Sequence, residues 1–290
     1  MKTHRFQIGP AVFEIRSSVR GLVAKTAQLY RDYPQDFSGK VIDFAVSAEP
    51  PSLLRRVYKP NLIYGGDFTL EDIVPVERRL GVLGFEMAIN LQMALGYLRH
   101  IVIHAASAAK NGDAVLITGE SGAGKSTLSA LLSYSADWRH MGDELALVTL
   151  EDDPMLVPYP RPIGLKNESV AEMQARAPED RFGPLLTGSV KGDVRHLLPP
   201  RPAIDAMLEP ARPRLILSPR FRVGAQPEYR EMTQSEAYVR LSGASTNQLR
   251  LGETGFRALV GLVKGAKAYD ITYGSSEQAL ALVDELWAQA

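Results

Sequence analysis

Hydrophobic and polar positions change rhythm once along this chain, near residue 80. Before that point the apolar runs are short, and Phe6–Ile8, Val12–Ile15 and the alternating Val41-Ile42-Asp43-Phe44-Ala45-Val46 read as strands. Tyr33-Pro34, Glu49-Pro50-Pro51, Lys59-Pro60 and Gly65-Gly66 read as the turns between them. Beyond it, Phe85, Ile89, Met93 and Tyr97 recur at every fourth position and lay one apolar stripe along a helix. The strand Ile101-Val102-Ile103 follows, then a turn at Asn111-Gly112 and a strand over Ala114–Thr118. A glycine-rich loop runs from there into a helix over Thr127–Tyr134. Leu145–Leu150 and Arg214–Leu217 predict further strands, and Tyr269–Tyr273 predicts one between helices near Thr254–Lys264 and Ser276–Ala288. Residues 152–213 are dense in proline and glycine and predict long loops. The expectation is an α/β protein, with a small β-rich unit over residues 1–80 and a mixed sheet with flanking helices over 81–290.

Composition narrows the function classes. With 45% hydrophobic and 23% charged residues in 290, the chain reads as a folded globular protein of one large or two small domains. Its 33 basic and 33 acidic residues cancel, which argues against a nucleic-acid partner. The absence of cysteine excludes disulfides, thiolate nucleophiles and cysteine-held zinc. His100 and His104 bracket the strand Ile101-Val102-Ile103 rather than sharing a helix face, and no zinc site is expected among the five histidines. The start MKTHRFQIGP lacks the apolar core of a signal peptide, and Val82–Leu98 is interrupted by Glu86, Asn90 and Gln92. A cytoplasmic protein without membrane attachment is the expectation.

The loop carries the chemistry. Gly119-Glu120-Ser121-Gly122-Ala123-Gly124-Lys125-Ser126 fits G-x-x-x-x-G-K-[ST] without a mismatch, with an apolar strand before it and a helix after it. Glycines let successive N–H groups curl into an anion-binding nest, and the helix adds its positive end beneath the phosphates. Lys125 would reach the β- and γ-phosphates and the Ser126 hydroxyl would ligate Mg²⁺. An ordinary nucleotide hydrolase also has an apolar strand ending in Asp to hold the metal. Leu215-Ile216-Leu217 ends in Ser218, and Tyr269-Asp270 lacks the apolar run. Asp143-Glu144, ahead of the strand, is the better candidate, the alternative being that the two acids cap a turn. Asp143 lies eighteen residues after Lys125, enough for a helix and a return strand to carry it back over the phosphates.

His104 closes a strand just before the hairpin that leads into the loop, as a reacting or a structural imidazole. The loop-rich stretch offers Arg161, Lys166, Arg181, Lys191 and Arg195 as cations for developing charge, or as solvated surface; Arg212 and Arg214 stand further on. Glu86 and Asn90, four apart on a buried helix, are expected to satisfy each other.

Together the loop, His104-Ala105-Ala106 and Asp143-Glu144 resemble the catalytic domain of the HPr kinase/phosphorylase family over roughly residues 100–215. A closer likeness is to the HprK-related kinase A subgroup. Phe85-Glu86, Asn90, Gly142-Asp143-Glu144-Leu145-Ala146-Leu147, Arg161-Pro162, Leu165-Lys166-Asn167 and Lys191-Gly192 carry that likeness. The resemblance implies an HPr kinase/PEP carboxykinase-like P-loop fold and a kinase that uses ATP and Mg²⁺ on a seryl hydroxyl. It implies that Gly119 through Thr127 bind the nucleotide, with Asp143 as general base and His104 and Lys125 beside the reacting groups. Ser126, Glu168 and Glu144 are the implied metal ligands. Glu144 stands where the family has a second Asp, and Thr127 where it usually has Glu. The family's carrier-contacting stretch is not matched in residues 171–188, so the acceptor stays open among a peptide, a small carrier protein and a serine-like small molecule. Related kinases assemble as hexamers, which keeps a homo-oligomer among the options. The competing expectations are an ATPase or nucleotide-binding switch acting on a partner protein, and a nucleotide-binding regulatory module that no longer catalyses.

Overall fold

The computed structural model describes residues 1–37, 40–68, 75–189 and 192–290; Lys191 lies outside the described residues. At the N-terminus, β1 (Lys2–Ile8), β2 (Ala11–Ser17), β3 (Phe44–Glu49), β4 (Asn61–Gly66) and β5 (Val76–Glu77) form one sheet in that order. Its pairs are antiparallel except β2–β3. A parallel pair needs a crossover, and the helix α1 (Leu22–Leu29), which the sequence pattern does not reveal, supplies it. The third strand starts later than expected, because Asp43 is tied to β2: its N–H donates to Val12 O at 2.9 Å and its Oδ2 accepts from Val12 N at 2.7 Å. Gly65-Gly66 is strand, not turn. A side chain on Gly66 would meet the Gln92 amide at 2.5 Å, so glycine is there for close approach.

The helix α2 (Gly81–Gly96) buries the expected stripe, with Phe85, Ile89, Met93 and Tyr97 against the N-terminal sheet. Glu86 and Asn90 do not satisfy each other. Arg161 takes both, donating to Asn90 Oδ1 at 2.7 Å and to Glu86 Oε2 at 3.0 Å, while Tyr30 donates to Glu86 Oε1 at 2.6 Å. Arg161 is therefore a buried cation paired within the core, not a solvated surface charge. Burial works against its charge, but Glu86 and the Tyr30 and Tyr159 hydroxyls outweigh burial and hold it protonated.

Next come β6 (Ile101–Ile103), β7 (Ala106–Lys110), β8 (Asp113–Ile117), α3 (Lys125–Ser133), β9 (Arg139–Gly142) and β10 (Ala146–Val148). The region expected to be long loops is instead well structured, with β11 (Leu156–Val157), β12 (Ile163–Lys166), α4 (Glu168–Gln174), β13 (Leu186–Ser189), β14 (Gly192–Leu197) and α5 (Arg201–Asp205). Its prolines sit at borders: Pro158, Pro160 and Pro162 precede β12, and Pro199, Pro200 and Pro202 end β14 and open α5. The C-terminal part holds β15 (Arg212–Phe221), β16 (Glu228–Glu231), α6 (Gln234–Ala244), α7 (Gln248–Lys264), β17 (Lys267–Tyr273) and α8 (Ser276–Gln289). Gly252 breaks α7 with φ 60°, so the expected helix from Thr254 is the part after the kink.

A six-stranded mixed sheet in the order β16-β17-β15-β8-β7-β9 is the platform of this half. β8, β15 and β17 run parallel, and β7, β9 and β16 pair antiparallel. Both faces are covered, so the central strands are continuously apolar rather than alternating. Leu116 and Ile216 pack under α6 and α7, while Val115, Ile117, Leu215 and Leu217 pack under α3 and α8. Trp138 meets Trp287 of α8 edge to face at 4.7 Å, with Lys110 over one ring and Arg214 over the other. One apolar cluster joins the N-terminal sheet and α2 to Tyr159, Leu186, Leu198 and Ile204. Among the described residues no helix is long and apolar enough to cross a membrane.

Candidate active site

Strand register gathers the expected residues at one end of the central sheet. β8 ends at Ile117, which pairs with Ala106 at the start of β7 and with Leu217 of β15. Ser107 in turn pairs with Gly142 at the end of β9. The loop 119–126 therefore leaves β8 where β7 begins, one residue after His104-Ala105, and where β9 delivers Asp143-Glu144.

Within the loop, Gly119, Gly122 and Gly124 have φ of 138°, 85° and 101°, a conformation natural to glycine alone. Glu120, Ser121 and Gly122 are exposed, while Ala123, Gly124, Ser126 and Thr127 are half-buried. Gly124 precedes the first residue of α3, and Leu128 N–H donates to its carbonyl at 2.9 Å. Lys125 is drawn into the loop. It is 8% exposed, and its Nζ donates to Gly119 O at 2.7 Å and Glu120 O at 2.9 Å. Burial lowers its pKa, Asp143 and Glu144 counter that, and Lys166 adds to it.

Asp143 is 1% exposed. Its Oδ2 accepts a long bond from Gly164 N–H at 3.4 Å, and its Oδ1 has no hydrogen-bond partner among the described residues. Burial, with Glu144 beside it, pushes its pKa up to about 6. The Ser126 hydroxyl, the Gly164 amide and Arg161 favour the ionised form without overcoming burial. A buried carboxylate with an open oxygen, facing a lysine and a serine of the loop, can take a proton or a cation.

Compared by sequence, the chain matches no family model and no curated protein. Among solved structures it is similar to the Hpr(Ser) kinase/phosphatase from Coxiella burnetii, at 15% identity and a TM-score of 0.31. That match covers 65% of this chain and 99% of the other. No residue role passes between the two chains at that level of overlap.

The remaining expected residues differ in how they relate to this centre. Glu144 adopts a left-handed φ of 71°, and its charge acts on Asp143 and Lys125. His104 is half-buried at the end of β6, its main-chain N–H donating to Ala244 O at 2.8 Å. Glu168 is an exposed first residue of α4. Among the described residues no group of three or more His, Asp or Glu could hold a metal on its own. The offered cations are mostly committed elsewhere: Arg181 pairs with Asp32 at 2.5 Å, Arg195 with Glu179, and Arg214 with Asp113 at 3.3 Å. Asp270, the weaker alternative metal acid, pairs with Arg230 and Arg240.

Three further residues stand beside the loop, and the sequence pattern placed only Tyr273 in a strand. β15 and β17 continue past the level of Ile117, so Phe221 pairs with Tyr273 and stands beside the loop crown. Phe221 N–H donates to Ala123 O at 3.3 Å, and Ser218 Oγ stands 3.4 Å from where a side chain on Gly119 would begin. Tyr273 Oη lies 3.0 Å from the corresponding point on Gly124. An apolar run that ends at Leu217 gives no sign of the four residues that follow.

Proposed function

We propose that this chain is an ATP-dependent phosphotransferase that moves the γ-phosphate to a hydroxyl acceptor. The observation that carries the reading is the pairing of two features at one sheet end. One is a loop with three left-handed glycines and a lysine drawn into it; the other is the buried Asp143 carboxylate beside the Ser126 hydroxyl of that loop. The N–H groups of 119–126 and Lys125 suit an anionic polyphosphate. Asp143 takes the proton of the acceptor hydroxyl as the oxygen bonds to the γ-phosphorus and the bond to the β-phosphate oxygen breaks. His104 stands by the same sheet end as a second polar group for the acceptor.

Magnesium, when bound, neutralises charge on the transferred phosphate. The Ser126 hydroxyl and Glu144, whose charge acts on Lys125 and Asp143, would hold it, with Glu168 at the start of α4 as the third candidate donor. This fits a hard cation that keeps waters and leans on substrate phosphates, so a dedicated carboxylate cage is not needed.

The test is transfer of label from γ-labelled ATP, with magnesium, to a panel of seryl peptides, a small carrier protein and free serine-like alcohols. Lys125→Ala should lose both nucleotide binding and transfer. Asp143→Asn should keep most nucleotide binding while transfer falls by about two to four orders of magnitude. Fast hydrolysis without any acceptor, and no labelled acceptor, would replace this reading with that of an ATP-driven switch acting on a partner.

A further inference from the structure

The loop is flanked asymmetrically. On one side, two strands away across β7, stands Asp143 at the end of β9. On the other side the adjacent β15 and its neighbour β17 rise past the end of β8 and form a wall. The top of that wall is Phe221, 43% exposed although it sits in a strand, with its ring 6.1 Å from that of buried Tyr273. Its main chain is bonded to Ala123 of the loop itself, so the ring is held at a fixed place relative to the phosphate cradle. Exposed Arg220 and Arg222 flank it.

We infer that Phe221 is the platform on which the base of the bound nucleotide lies. This rests on the nucleotide reading above and assigns the end of the ligand that reading leaves open. With the transferred phosphate toward Asp143, the rest of the nucleotide runs over the loop in the opposite direction, toward β15. Three strand spacings separate β9 from β15, about 14 Å, the order of an extended nucleoside triphosphate. An exposed aromatic ring on that side of the loop, anchored by its own main chain, offers a face for stacking. Stacking on a ring reads aromatic area rather than a pattern of donors and acceptors, so purines should bind better than pyrimidines with little choice between adenine and guanine.

The experiment is calorimetric binding of magnesium-ATP and magnesium-tripolyphosphate to the wild-type chain, Phe221→Ala and Phe221→Trp, with a thermal melt of each. Wild type should bind ATP about 5- to 150-fold tighter than tripolyphosphate, the range for one stacked base. Phe221→Ala should bring ATP down to the tripolyphosphate affinity and leave tripolyphosphate unchanged; Phe221→Trp should retain the ATP preference. Equal binding of the two ligands by wild type overturns the platform and leaves the phosphate loop standing. So does a Phe221→Ala variant that binds ATP as tightly as wild type, or one that loses both ligands alike while melting normally. Binding of neither ligand by wild type overturns the nucleotide reading itself, and the platform with it.

Discussion

Asp143 and His140 stand three residues apart at the end of β9, both sealed from water, and burial acts on them in opposite senses. Asp143 is raised to about 6, so the fold prefers its protonated form. Its contribution is present below the unfolded value near 3.8 and is lost as pH rises through about 6, on the order of 3 kcal/mol in all. His140, bonded to Ser133 Oγ at 2.9 Å, is lowered by burial to about 3, so the fold prefers its neutral form. Its contribution is present above the unfolded value of 6.5 and is lost as pH falls toward about 3. Between about pH 4 and 6 the two slopes oppose each other. Asp143→Asn should therefore raise the melting temperature of the nucleotide-free protein at pH 7.5, and should leave a steeper loss on acidification. His140→Gln should flatten the acid side. Melts from pH 4 to 8 check both; an Asp143→Asn variant no more stable than wild type at pH 7.5 contradicts the burial argument. The loop residues of this centre were legible because their motif is local in sequence. The partnerless oxygen of Asp143 was not, since it depends on which strands surround it.

At the scale of elements, α2 could be read directly, because four apolar residues at helical spacing leave no other face to bury. What α2 does with its polar residues could not be read, since Arg161 arrives from seventy-one residues beyond Asn90. Removing one member of a buried ion pair leaves the other uncompensated. Arg161→Ala is expected to cost about 3–5 kcal/mol, seen as a fall in the urea midpoint. Adding Glu86→Gln to Arg161→Met should recover part of that loss. A neutral Arg161→Ala would show that Glu86 is satisfied without it. Besides α4 and α5 in the stretch expected to be loops, α1 and α6 escaped the sequence pattern for different reasons. α1 is eight residues long and opens after a left-handed Gly21 with no side-chain cap. α6 did carry a signal, the Thr233 and Glu236 capping box, which its weak apolar stripe concealed.

For the whole molecule, the change of texture near residue 80 coincides with no gap in the core. Val82, Phe85, Ile89 and Met93 belong to the same apolar cluster as Phe6, Phe13 and Val46, and Tyr159 and Leu198 extend it. A fragment of residues 81–290 would expose that face of α2. It is expected to lose cooperative unfolding and to bind an apolar dye, measured by calorimetry and dye fluorescence beside the full chain. A sharp transition at the full chain's temperature would show instead that the central sheet stands alone. Sequence periodicity described α2, β8 and the last two elements well, and missed the strands and helices of residues 152–213. It could not show that one face of a single helix is shared by both, because that contact joins residues far apart along the chain.

The edge-to-face pair of Trp138 and Trp287 brings together the only two tryptophans in the chain. Intrinsic emission excited in the indole band thus comes from one seam, between the segment before β9 and the last helix, and from nowhere near the loop crown. An optical melt followed in that band reports the departure of α8. Two indoles this close also couple their transitions, so the native state should carry an exciton signature in circular dichroism that disappears when the seam opens.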